Sequence, residues 1–120
     1  MSYDIYFKVK PVDCDVKVEI CRAANITWNL REMIVRSTGL EWKNKGNNGL
    51  VKDVIPHIRK GLAELIKYPE KYKQYEDPKC WYFSDGLGTI KQCKRLFCEI
   101  IITWDHLNPE VKETATFWIE

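Results

Sequence analysis

Five cysteines (Cys14, Cys21, Cys80, Cys93, Cys98) and two histidines (His57, His106) are the side chains of this 120-residue chain best suited to metal or nucleophilic chemistry. Structural zinc sites draw two thiolates from one tight turn, as in C-x2-C. Here successive cysteines lie 7, 59, 13 and 5 residues apart, and no such knuckle exists. Cys93 and Cys98 point about 140° apart on a helix of 3.6 residues per turn, so they cannot share an ion from one face. No metal is expected, and the cysteines read as small apolar fillers of a core. A thiolate hydrolase needs an imidazole beside the sulfur and a third group to orient it. Neither histidine lies in such a motif, and His106 at a helix end is accounted for by the helix dipole.

Two glycine turns could hold an anion. Gly86-Leu87-Gly88-Thr89 precedes a helix, where free amides and the dipole favour negative charge. It lacks the third glycine and the preceding strand that a dinucleotide fingerprint requires. Gly46-Asn47-Asn48-Gly49 is flanked by Lys43, Lys45 and Lys52. With Asn25 and Asn29, these groups define one candidate ligand site: Asn25, Asn29, Asn47, Asn48, Gly86, Gly88 and Thr89. No cofactor follows from them.

Aromatic residues carry the other signal. Trp and Tyr dominate protein-binding hot spots, because they bury much area and keep a polar handle. Trp28 and Trp42 read as core or core edge. Trp81, Tyr82 and Phe83 cannot all face inward from one short segment, unless it is a strand buried on both sides. They are the candidate partner-binding residues.

The elements that must position these groups follow from periodicity. Tyr3, Ile5, Phe7 and Val9 alternate with Asp4, Tyr6 and Lys8, and Val16, Val18 and Ile20 alternate with Lys17, Glu19 and Cys21; both read as strands. Turn residues between them complete an antiparallel hairpin. Asn25, Thr27 and Asn29 are alternative candidate caps, Asn29 with Glu32 in the manner of a capping box, for a helix carrying Leu30, Met33 and Ile34 and stopped by Gly39. Residues 41–49 read as a loop. Val51, Val54, Ile55, Ile58, Leu62, Leu65 and Ile66 recur at helical steps, with Pro56 in the first turn and Asp53 as cap. Pro69 starts a short helix that ends before Asp77-Pro78. Thr89 to Gln92 form a capping box for a helix with Cys93, Phe97, Ile100, Ile101 and Trp104 on one stripe. Ala115, Phe117 and Ile119 alternate with Thr114, Thr116 and Trp118 as a closing strand.

The expected fold is therefore α+β: a single domain, residues 1–120, with a small three-stranded antiparallel sheet. The N-terminal hairpin and the C-terminal strand make that sheet, and three to four helices cover it.

Asn25-Ile26-Thr27-Trp28-Asn29, Tyr68 to Glu76, Gly86-Leu87-Gly88-Thr89-Ile90 and Ala115 to Ile119 together resemble a family of small uncharacterised proteins of Firmicutes and their phages or mobile elements. That family carries Trp between the two glycines where this chain has Leu87. The resemblance implies an accessory cytoplasmic protein and brings no activity or catalytic residue with it.

Composition bounds the function. With 19 basic and 17 acidic residues the net charge is +2, split into 11 against 7 in the first sixty residues and 8 against 10 in the rest. That is too mild for a polybasic arm and argues against nucleic acid, leaving single-strand binding by Lys-interleaved aromatics as the weakest reading. No apolar run is long enough for a membrane span. An odd cysteine count and no signal-like start point to the cytoplasm. The function expected is a non-enzymatic protein-interaction module; the alternative is a small-molecule or nucleotide binder. Two open sheet edges also leave room for a homodimer.

Overall fold

The computed structural model describes residues 2–9, 18–27, 30–43, 45–76 and 88–120. Four strands are described: β1 (Ser2–Val9), β2 (Val18–Thr27), β3 (Gly46–Leu50) and β4 (Thr116–Ile119). Five α-helices accompany them: α1 (Arg31–Thr38), α2 (Val51–Lys67), α3 (Pro69–Tyr72), α4 (Ile90–Asp105) and α5 (Pro109–Thr114). A 3-10 turn at Lys73–Tyr75 extends α3.

The fold is α+β, and the described residues alone contain one strand and one helix more than the sequence suggests. The sheet is antiparallel in the order β2-β1-β4-β3. The hairpin and the closing strand meet as expected, Ile5 facing Ile119 and Phe7 facing Phe117. The extra strand comes from the stretch expected to be a loop. Gly46 and Gly49 adopt φ of +109° and +103°, conformations that glycine allows at little cost. This lets a turn-like sequence bulge along β4 while Asn47 still faces Trp118.

Two further expectations are corrected. Asn25 and Thr27 are not helix caps: β2 runs on through Thr27, and α1 begins after Leu30 without a side-chain cap. Helix α2 starts at Val51, so Pro56 lies in its interior and Asp53 is not its cap. The proline deprives the Lys52 carbonyl of an amide partner. Lys52 is exposed, so water can serve instead. Burial of Val51 and Val54 favours the early start, and the Val51 amide donates to the Ala115 carbonyl at 2.9 Å.

One face of the sheet is covered. Ile5, Phe7, Ala24, Phe117 and Ile119 point inward and are buried with Met33, Ile34, Val54, Ile58, Leu65, Leu96, Phe97 and Ile100 of α1, α2 and α4. Trp42 joins them at a ring distance of 5.3 Å from Phe117, as expected of a core tryptophan. Its indole N–H is buried without a hydrogen-bond partner among the described residues. Tyr72 is buried and Tyr75 half-buried against the same core. Gly61 is where α2 passes closest to its neighbours, since a Cβ there would meet Thr38 Cγ2 at 2.6 Å and the Phe97 ring at 3.0 Å.

The capping box before α4 forms, the Gln92 amide donating to the Thr89 hydroxyl at 3.4 Å. Among the cysteines, Cys93 is the core filler expected, Cys21 is half-buried and Cys98 is exposed. Among the described residues no helix is long and apolar enough to cross a membrane.

Candidate functional site

The side of the sheet away from the helices presents three rows of side chains, fixed by strand register because directly paired residues share a face. Asn25 and Asp4 form the first row, with Glu120 hydrogen-bonded through its backbone to Asp4 beside them. Arg22, Tyr6, Trp118 and Asn47 form the second. Glu19, Lys8, Thr116 and Leu50 form the third. Two aromatic rings thus occupy the middle of a polar face, on the two central strands.

Four of the five charged side chains described on this face pair within it. Arg22 Nε lies 2.9 Å from the Asp4 carboxylate, which also accepts from the Asn25 amide at 2.9 Å and the Tyr6 hydroxyl at 3.4 Å. The Asn25 bond, with Arg22 and Tyr6 assisting against the cost of burial, holds the Asp4 carboxyl below the usual range. Burial, reinforced by the nearby Asp4 and Glu19 charges, pushes the Tyr6 phenol up.

Lys8 reaches across the face to the Glu120 carboxylate. Its ammonium lies 4.4 Å from the Trp118 ring centroid and 6.0 Å from that of Tyr6. The Trp118 indole N–H donates to the Thr116 hydroxyl at 2.8 Å, and that hydroxyl donates to the Lys8 carbonyl at 3.1 Å. Each group on the two central strands is therefore oriented by a neighbour.

Among the described residues the expected ligand site is not brought together. Asn25 is on β2 and Asn47 and Asn48 are on β3, the two opposite edges of the sheet. Three strand spacings of about 4.8 Å separate them. Their side chains also serve the chain itself. Asn25 bridges β2 to β1, Asn48 accepts from the Lys43 amide at 2.7 Å and donates to the Gly46 carbonyl at 3.1 Å, and Asn47 accepts from the Gly49 amide at 2.9 Å.

At the start of α4, Gly88 is buried in the turn and the Ile90 amide donates to Glu76 at 3.0 Å. A carboxylate of the chain thus stands where an anionic ligand would bind. Asn29, Gly86, Trp81, Tyr82 and Phe83 lie outside the described residues. A depression of about 500 Å³ on α1, lined by Arg31, Glu32, Val35, Arg36 and Glu41, contains none of the asparagines, nor does one of about 170 Å³ beside Glu64 and Tyr68.

Among the described residues no three of His, Cys, Asp and Glu gather to hold a metal. Burial pushes the Cys93 thiol up, away from the reactive thiolate. His57 sits on α2 against the Thr38 carbonyl, and the His106 ring contacts the Ile102 carbonyl at 2.7 Å at the end of α4.

The alternation of strands β1 and β4 already marks Asp4, Tyr6, Lys8, Thr116 and Trp118 as outward-facing. Their convergence depends on a pairing between the two ends of the sequence, for which no local pattern exists. Comparison with protein-family models, curated proteins and solved structures finds no match to this chain.

Proposed function

We propose that the protein is a non-enzymatic interaction module that docks another protein on the open face of its sheet, with Trp118, Tyr6 and Arg22 as the principal contacts. In the setting of a phage or mobile-element accessory protein, that partner is a host protein. The observation that carries the reading is the central aromatic pair on a face whose two cations, Lys8 and Arg22, are already paired with carboxylates. Trp, Tyr and Arg are the residue types that dominate binding energies at protein interfaces.

Single-stranded nucleic acid also stacks on aromatic sheets, but it requires cations free to meet phosphates. This face carries Asp4, Glu19 and Glu120 against Lys8 and Arg22, and both cations are held by carboxylates of the same face. The balance favours a protein surface over a polyanion.

The test compares pull-downs with the wild-type chain, Trp118→Ala, Tyr6→Ala and a control, Ile66→Ala, at an exposed position of α2. A partner held by wild type and by the control, and lost by both face variants, supports the reading. A partner indifferent to the face variants, or no partner at all, overturns it.

A further inference from the structure

Lysine is among the residues least often buried. On a sheet face open to solvent among the described residues, Lys8 nevertheless keeps only 16% of its side-chain surface exposed. The ammonium rests on the Trp118 ring, with the Tyr6 ring at the outer limit of cation–π range, and its charge is met by Glu120. Trp118 is held in place for this by its bond to Thr116. An aromatic face beside a carboxylate is the arrangement that recognises an organic cation. Glu120 keeps 41% of its side chain exposed, so the site is reachable from solvent.

We infer that Trp118, Tyr6 and Glu120 form a recognition site for an arginine side chain of the partner, and that Lys8 occupies it as an internal substitute until the partner displaces it. This rests on the reading of the open face as a docking surface, and adds the chemistry of what docks there.

Three features favour arginine. Among its described residues the face has one more acid than base, so its complement carries positive charge. A guanidinium is flat, delocalised and more weakly hydrated than an ammonium, so it stacks on indole while still pairing with a carboxylate. Lys8 leaves into water, where its flexible stem and ammonium are readily solvated, so the exchange abandons no buried charge. The size of the face points to a segment rather than a whole second copy. Four strands and about six residues of length give roughly 300–400 Å², about half of one side of a standard interface.

The experiment uses ethylguanidinium as probe, up to about 100 mM at constant ionic strength so that screening is unchanged. Sodium chloride and neutral ethylurea are the controls. The readout is the indole N–H resonance of Trp118 in proton–nitrogen NMR spectra, assigned by its disappearance in Trp118→Phe. In Lys8→Gln the lysine no longer competes, and the resonance should shift along a saturating curve with ethylguanidinium and with neither control. In wild type the apparent affinity should be at least about fivefold weaker, because the competent state is only fractionally populated. The added Glu120→Gln substitution should abolish the response.

Lys8→Ala replaces Lys8→Gln if the latter does not fold. No shift in a folded Lys8 variant, or an equal shift with ethylurea, overturns the inference. Partner loss in Trp118→Ala without a guanidinium response ends the cation site and leaves the docking reading standing. A guanidinium response without any partner does the reverse.

Discussion

Phe117 and Trp118 are neighbours on one strand, yet they belong to two surfaces built on different physical terms. Phe117 is fully buried, its ring 6.0 Å from Phe7 and 5.3 Å from Trp42, and it contributes by area removed from water. Trp118 points the other way. Its environment is a lysine over its face, a threonine hydroxyl at its N–H and an asparagine in register beside it. The inner face is buried and specifies the fold through volume. The outer face is polar, and each contact on it is a modest one between partly exposed groups. The lesson is that in this sheet stability and recognition can be altered separately, one residue apart.

The contrast is broken most decisively at Phe117. Phe117→Ala should cost about 3–5 kcal/mol through lost burial and the cavity left behind. Trp118→Ala should cost no more than about 1 kcal/mol, as expected away from the packed core. Urea unfolding of the two variants checks this, and equal losses would erase the distinction between the faces.

A smaller effect is expected where the helices behind the inner face touch. An alanine in an exposed helix ordinarily gains about 1 kcal/mol over glycine. In Gly61→Ala the new methyl would overlap Thr38 and Phe97, so the sign reverses to a loss of about 1–3 kcal/mol. A raised urea midpoint in this variant would contradict the tight crossing of α1, α2 and α4.

The smallest effect belongs to the outer face and depends on pH. The folded Asp4 carboxyl lies below its unfolded value. Its contribution is therefore complete above the unfolded value of about 4, and is lost as pH falls through the lowered folded one. Asp4 and Arg22 are both partly exposed, which limits the contribution to below about 1 kcal/mol. Asp4→Asn should be slightly less stable than wild type at pH 7, and the gap should close toward pH 2–3. A gap that stays constant with pH would mean that packing, not ionisation, sets the role of Asp4.

The sequence makes some of these features legible and hides others for identifiable reasons. Alternation in β1 and β4 assigns Phe7 and Phe117 to the core and Tyr6 and Trp118 to the outside, because side chains in a strand have a period of two. Thr89 announces the start of α4 because its cap lies within four residues. Strand β3 is hidden, since Gly46-Asn47-Asn48-Gly49 has the composition of a turn and becomes a strand only by pairing with β4. The start of α2 is hidden by Pro56, a local signal overridden by burial of Val51 and Val54. Asn25 has the chemistry of a cap, but Asp4 on the adjacent strand engages it instead. The candidate site was half legible: its residues are marked as outward-facing, while their meeting depends on contacts such as that between Lys8 and Glu120, 112 positions apart.

That long-range closure also governs when the protein can come into being. β1 and β4 lie at the centre of the described sheet, so its middle seam joins strands far apart in the sequence, Lys8 and Glu120 being 112 positions apart. Closing so large a loop carries an entropic penalty that local helices do not face, and folding dominated by such distant pairings is slow. On the ribosome, the helices and the β1–β2 hairpin can form early, but β1 must wait for β4 with one side unpaired. During that interval it offers an open hydrogen-bonding edge flanked by Ile5 and Phe7, a template for association with other chains. Chaperone protection of the nascent chain would matter most just before residues 116–119 emerge.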